Sequence, residues 1–465
     1  MRVCIKLTTT IIIILMSFSC KTDKGINRYD LVSRHNIVNS IIDSLNSFSV
    51  GNGTFTFTVD VTGLQTFPGF YERGISLGTM SDWGWHSFPN PENYNLEDNY
   101  RNYDVHGRLV SYLWQYGRGE DERKRMASDW LRENPHRIHL GMVGLQILKE
   151  DGSEITITDI KDNVQKLDLW TGKISSRFTV EGVPVQVTTV CHTGDDQVSA
   201  RIESDLIREG RLKIKIHFPM GIPQPAGYDF DNPDAHITNV ISSGEGETLF
   251  ERIQDDDRYF VKVRHTSGSM GNASRHMYYI KPAADEQSFE FSCLFSKAEI
   301  RKVPDDFALT AEKNRTGWAE FWSSGGAVDF SECTDHRSFE LERRVILSRY
   351  LTKIQCSGSL PPAETGLTYN SWFGKFHLEM HWWHGVHFAL WQKEDVLERQ
   401  MDYYFKILGR ARETAQRQGY KGARWPKMTS QDGRESPSGV GTFLIWQQPH
   451  PIFYAELLRS EEHTS

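Results

Sequence analysis

A large antiparallel β-sandwich followed by an all-α domain is the fold class this sequence predicts, a multidomain β plus α chain. Three observations predict it. Short runs of alternating apolar and polar residues recur up to about residue 295, the period turns helical after Pro304, and no strand–helix–strand alternation lies between. A chain of 465 residues is long enough for roughly two to three domains with cores of their own.

In chain order, Arg2 and Lys6 precede an apolar run centred on residues 11–15 and then Ser17-Phe-Ser-Cys20. This pattern reads as an export signal, and the small residues before Cys20 resemble a bacterial lipoprotein box whose cysteine becomes lipidated. The expectation is a signal over 1–20, a linker over 21–47, and an exported protein lipid-anchored through Cys20 in the periplasm or outer membrane of a Gram-negative bacterium. That anchor would be its only membrane contact.

The sandwich is placed at 48–300. Residues 54–61, 154–158, 183–190, 211–217 and 288–293 alternate with period two, which buries one face and wets the other. Gly, Asn and Asp fill the turns between them. A helical linker is expected over 301–335, carrying a helix at 307–321. The all-α domain follows at 336–458, with helices at 339–355, 394–417 and 443–458 and a Gly-rich, Pro-containing stretch between the last two. The terminal Arg459-Ser-Glu-Glu-His-Thr-Ser465 matches the translation of a common sequencing-library adapter. It is expected to be foreign sequence that leaves the helical domain incomplete.

Charge excludes one class of partner. The net charge of -8 is built from interspersed acids and bases, so no basic face is available for nucleic acid. Cys191, Cys293, Cys333 and Cys356 are widely spaced with no C-x-x-C pair, which argues against zinc and for buried free thiols.

The segment 364–387 combines aromatic rings, the four histidines His377, His381, His384 and His387, and the carboxylates Glu364 and Glu379. Flat rings beside hydrogen-bonding carboxylates suit a ligand with apolar faces and many hydroxyls, such as a sugar. Trp372, Trp382 and Trp383 read either as sugar platforms or as core. The histidines fall at helical spacing, but no His-Glu-x-x-His word is present, so neither metal nor cofactor is expected.

Specific words join this pattern: Val50-Gly-Asn-Gly53, Asp60-Val-Thr-Gly-Leu-Gln-Thr-Phe-Pro68, the aromatic segment from Tyr369, and Gly422-Ala-Arg-Trp-Pro426. Together they resemble glycoside hydrolase family 65 and its relatives, most of all an exported lipoprotein branch in Bacteroidetes-like bacteria. The resemblance implies an N-terminal super-sandwich, a helical linker and an (α/α)6 six-hairpin barrel, here incomplete, that holds the active site. It implies an inverting disaccharide phosphorylase or hydrolase, with an oligosaccharide or disaccharide as the partner.

Carried over residue by residue, the family's Trp-Asp-Thr-Glu word falls on 376–379, where Glu379 is retained and His377 stands near the place of the Asp. Sugar-holding roles are implied for Trp372, Lys375, His377, Glu379, Arg424 and Trp425. The family's general acid falls on Gln448, two residues before His450, and an amide cannot donate that proton. The expected acid is therefore Glu435, in the 430–437 loop, while Asp432 reads first as a turn residue. Hydrolase, phosphorylase and a non-catalytic carbohydrate-binding lipoprotein remain open, with hydrolysis favoured outside the cytoplasm.

Overall fold

The computed structural model describes residues 25–462. The expected signal with Cys20 lies outside them, as do residues 463–465 of the adapter-like tail. The described helices used below are α1 (Glu122–Glu133), α2 (Phe307–Ser323), α3 (Ser338–Cys356), α4 (His381–Leu390), α5 (Glu394–Lys406), α6 (Leu408–Arg417) and α7 (His450–Glu462).

Nine described strands form one antiparallel sheet. Their order is Ile37–Asn39, Lys161–Asp168, Lys173–Val180, Val183–Cys191, Gln197–Ser204, Ser288–Ser296, Asp257–His265, Glu247–Gln254 and Ile237–Gly244. Alternation sets the register: Val187 opposes Ile202 and Ile202 opposes Phe289, so the apolar residues of neighbouring strands share one face. That face packs with a second antiparallel sheet, in which Leu212, Ile214 and Ile216 alternate buried with half-buried Lys213, Lys215 and His217. Sheet-on-sheet packing of this kind produces a sandwich core.

Two helices extend that core. Asp306 caps α2 by accepting from the Leu309 N–H, and Trp318 and Trp322 of α2 enter the sandwich cluster. The Trp318 ring stacks on Tyr350 of α3 at 4.7 Å, and the Tyr350 hydroxyl donates to the Ser49 carbonyl at 2.9 Å. A second cluster gathers Phe376, Leu378, Val386, Leu397, Tyr403, Tyr404, Ile407 and Tyr454 from the helical half, together with Trp85 from the N-terminal half. Trp85 therefore ties the two halves at one aromatic contact, edge-on to Phe376 at 5.5 Å.

Several expected elements change on folding. Residues 154–158 do not form a strand: Thr156 and Asp159 make a reciprocal capping box around a short 3-10 turn at Ile157–Asp159. The expected helix at 394–417 is two helices, because Ile407 has φ -95° and ψ 5°, off the helical basin. In the 443–458 stretch only the part from His450 onward is α-helical. α1 was not foreseen; Asp121 caps it by accepting from Lys124 N–H, and Arg125 bridges Glu122 and Asp129 along its surface.

Candidate active site

The site is built on a small strand pair. Phe376–His377 runs antiparallel to Met428–Thr429, and Thr429 is bridged on its other side by Glu435. This pairing brings the aromatic segment and the loop after Gly422-Ala-Arg-Trp-Pro426 side by side, although they are distant in sequence.

His377 is the centre. Its side chain is 2% exposed, with Nδ1 at 3.6 Å from Glu364 Oε2 and Nε2 at 3.4 Å from Glu379 Oε2. Among the described residues, neither nitrogen has a hydrogen-bond partner. Burial, helped by the nearby Lys427 charge, pulls its pKa down to about 3, so the ring is neutral and holds one donor and one acceptor. Ser371 Oγ donates to Glu364 Oε2 at 3.1 Å, and Lys427 Nζ lies 3.5 Å from Glu379 Oε2. Both carboxylates keep partial contact with solvent, so the cluster is open on one side.

Trp372 borders this group. The Lys427 ammonium lies 4.9 Å and the Arg132 guanidinium of α1 5.7 Å from its ring centroid. The loop that presents it is strained: Trp372 (φ 49°) and Phe373 (φ 64°) are both left-handed, a conformation that costs non-glycine residues of order 1–3 kcal/mol each. Gly374 continues the left-handed run at φ 69°. A Cβ there would also stand 2.6 Å from the Arg137 side chain, whose Nε donates to the Gly374 carbonyl at 2.7 Å. Glycine is required at 374 on both counts.

The other expected residues fall differently. Lys375 is buried, and its ammonium donates to the Leu131 and Asn134 carbonyls at 2.7 and 3.1 Å and to Ser436 Oγ at 3.3 Å. Burial, with Arg434 and Arg132 nearby, takes its pKa well below the lysine range. The expectation that it holds sugar hydroxyls is corrected: its donors are already engaged, and it ties α1 to the strand pair. Arg424 Nη2 donates to the Thr442 and Leu444 carbonyls at 3.3 and 2.9 Å, fixing the following loop. Trp425 packs edge-on to Tyr404 at 5.1 Å, half-buried in the helical core.

Gln448 is explained by the same contacts. Its Oε1 accepts from the Trp425 N–H at 2.8 Å and its Nε2 donates to the Trp425 carbonyl at 2.6 Å. A glutamate could make the first bond but not the second.

Glu435 sits apart from the His377 cluster, and among the described residues no hydrogen bond or ion pair joins them. Its side chain is 11% exposed, with Oε2 3.1 Å from Arg417 Nη2, and that guanidinium lies over the Tyr100 ring at 4.1 Å. Burial raises its pKa against the opposing pull of Arg417. Asp432 makes the turn expected of it, accepting from the Arg434 N–H at 3.1 Å and pairing with Arg410 at 3.2 Å.

The histidines do not share one helical face. His377 is in a strand, whereas His381 lies in α4 with both nitrogens matched, to Tyr404 at 2.9 Å and Gln400 at 2.8 Å. No group of three or more His, Cys, Asp or Glu side chains among the described residues is placed to hold a metal ion. Of the tryptophans, Trp382 stacks on Phe453 at 4.3 Å, and Trp383 is largely exposed. Glu364 and Lys427 were not singled out as site residues; the two carboxylates of the 364–387 segment were the one signal that pointed to Glu364.

No protein-family profile matches the chain, and no curated protein matches it. Solved structures do. A protein assigned as a kojibiose phosphorylase from the human microbiome superposes with a TM-score of 0.60 at 14% identity, over 90% of this chain and 55% of that one. A bacterial glucoamylase solved with acarbose aligns over 92% of this chain and 60% of its own, at 9% identity and a TM-score of 0.48. The first likeness shows a shared fold, and this chain spans little more than half of that protein's length.

Proposed function

We propose that the protein is an exported glycoside hydrolase that cleaves a glycosidic bond of an oligosaccharide or disaccharide with inversion. The observation that carries this reading is the neutral His377 held between Glu364 and Glu379, with the half-exposed Trp372 alongside. Such a group offers acceptors, a donor and a flat apolar face side by side, which is what a sugar ring with several hydroxyls requires.

Inversion needs a carboxylic acid to protonate the leaving oxygen and a base that activates water on the opposite face. Glu435 is the proposed acid. Burial favours its protonated form, the state from which it would donate. His377 and Glu379 hold hydroxyls, with Trp372 as the ring platform. The fold shared with the kojibiose phosphorylase makes phosphate the second nucleophile to consider, attacking where water otherwise would.

The deciding experiment is a screen of the protein on aryl glycosides and disaccharides, with and without phosphate, following the released sugar and its anomer. Release without phosphate supports hydrolysis, and strict phosphate dependence replaces it with phosphorolysis. Glu435→Gln is expected to abolish turnover while sugar binding persists. Unchanged turnover would remove Glu435 from the role of acid.

A further inference from the structure

Arg132 is a cation without a contact ion pair among the described residues, the nearby carboxylates of Asp129 and Glu133 acting on it only through space. It projects from the last turn of α1, yet among the described residues it makes no hydrogen bond and no ion pair, and its Nε is buried without a partner. Its guanidinium lies instead over two rings, 5.7 Å from the Trp372 centroid and 6.0 Å from that of Phe373. Stacking uses the face of a guanidinium and leaves the N–H donors, which lie in its plane, available to a planar anion.

The usual reason for an arginine at a helix end does not apply. The carbonyls at the C-terminus of α1 are already served by other cations, Lys375 on Leu131 and Asn134 and Arg434 on Asn134. Its own-helix acids compensate it only partly: Asp129 and Glu133 act on it through space, but Asp129 is paired with Arg125 at 2.6 Å and, among the described residues, Glu133 forms no ion pair with it. Lys427 also lies against the Trp372 ring, at 4.9 Å from its centroid, and among the described residues its one acidic partner is Glu379, at 3.5 Å and without a hydrogen bond. The left-handed Trp372 and Phe373 hold their rings against Arg132 at a cost in backbone energy, a feature concentrated at ligand clamps.

We infer that Arg132 and Lys427, set about Trp372, form an anion-binding subsite, and that the sugar taken by the cleft carries a negative charge, as a uronic acid carboxylate or a sulfate ester. The inference rests on the carbohydrate reading of the same cleft. It makes Arg132, supplied by the N-terminal half of the chain, the residue that sets specificity.

The test is binding to the intact protein by calorimetry with three matched ligands: a glucuronide, the corresponding glucoside and a sulfated glucoside. The expected result is at least about tenfold tighter binding of an anionic ligand than of the glucoside, since hydrogen bonds to a charged group are the strong ones. Arg132→Gln should remove most of that preference, and added salt should weaken it. The glucuronide and sulfate arms tell the two anions apart. Because Arg132 makes no hydrogen bond among the described residues, its substitution should leave the melting temperature nearly unchanged; Lys427→Gln is the second variant and should lower the same preference. Equal binding of glucoside and anionic sugars, with Arg132→Gln silent, would overturn the inference and leave the carbohydrate reading intact. Failure of all three to bind would overturn both.

Discussion

The nine-stranded sheet and the 364–387 segment differ in how far they match their buried polar groups. Ser199, Ser292 and Gln197 of the sheet close a hydrogen-bonded network with Thr310 of α2, with Ser199 Oγ 2.7 Å from Ser292 Oγ and Gln197 Nε2 donating to Thr310 Oγ1 at 2.8 Å. In the segment, His377 is as buried as those serines but has both nitrogens unmatched, and the loop beside it is left-handed at three successive residues. Single unmatched buried atoms occur elsewhere too, Asn163 Nδ2 and Arg252 Nε of the sheet among them, but among the described residues His377 alone has both ring nitrogens buried and unmatched, and that coincidence with a left-handed loop marks the place as shaped for something other than stability.

The comparison predicts where substitutions will hurt. The largest loss is expected in the sheet: Phe291, 2% exposed and paired across from Ala200, should cost about 3–5 kcal/mol when cut to alanine, through lost burial and the cavity left behind. Chemical denaturation measures it. A cost below about 1 kcal/mol would mean that the sandwich core does not rest on that strand. Gly374→Ala comes next. It forces a Cβ into the left-handed region and against Arg137, and should cost about 1–3 kcal/mol while also displacing Trp372, so sugar binding should fall further than stability. Equal loss in both would mean that the loop serves the fold alone.

How far the sequence carried this division depends on range. The strands were legible because alternation is local: in 183–191, buried Val185 and Val187 flank exposed Gln186, and the register with Ser204 and Ile202 follows. α1 was not legible, because it buries only Ala127, Ser128 and Leu131 and shows no broad apolar stripe. Its signal was the capping Asp121 with the Glu122, Arg125 and Asp129 spacing. The surroundings of Lys375 are illegible for a different reason: the carbonyls that engage it lie some 240 residues earlier, and no pattern near Lys375 records them. Glu379 and His377 were placed in one cluster from their own word, but Lys427 joins it only through the strand pair.

The smallest predicted effect sharpens the comparison most, because it separates His377 from its matched neighbour in α4. The His377 pKa is depressed to about 3, against 6.5 for a free histidine, so the unfolded chain binds a proton that the folded one refuses. Stability is complete above pH 6.5 and declines as pH falls from there toward 3. His381 is depressed to about 4, by burial and against its bond to Gln400, and it contributes the same sign of slope over a narrower window. Replacing His377 with Asn should flatten the acid limb of the stability curve and cost little at pH 7, since no hydrogen bond is lost. Replacing His381 should flatten the limb and also cost about 1–3 kcal/mol at pH 7, since Tyr404 and Gln400 lose a partner. Urea titrations at pH 7 and pH 5 distinguish the two. If His377→Asn proved as costly at pH 7 as the His381 variant, His377 would be a structural residue, and the unmatched centre of the proposed site would lose its meaning.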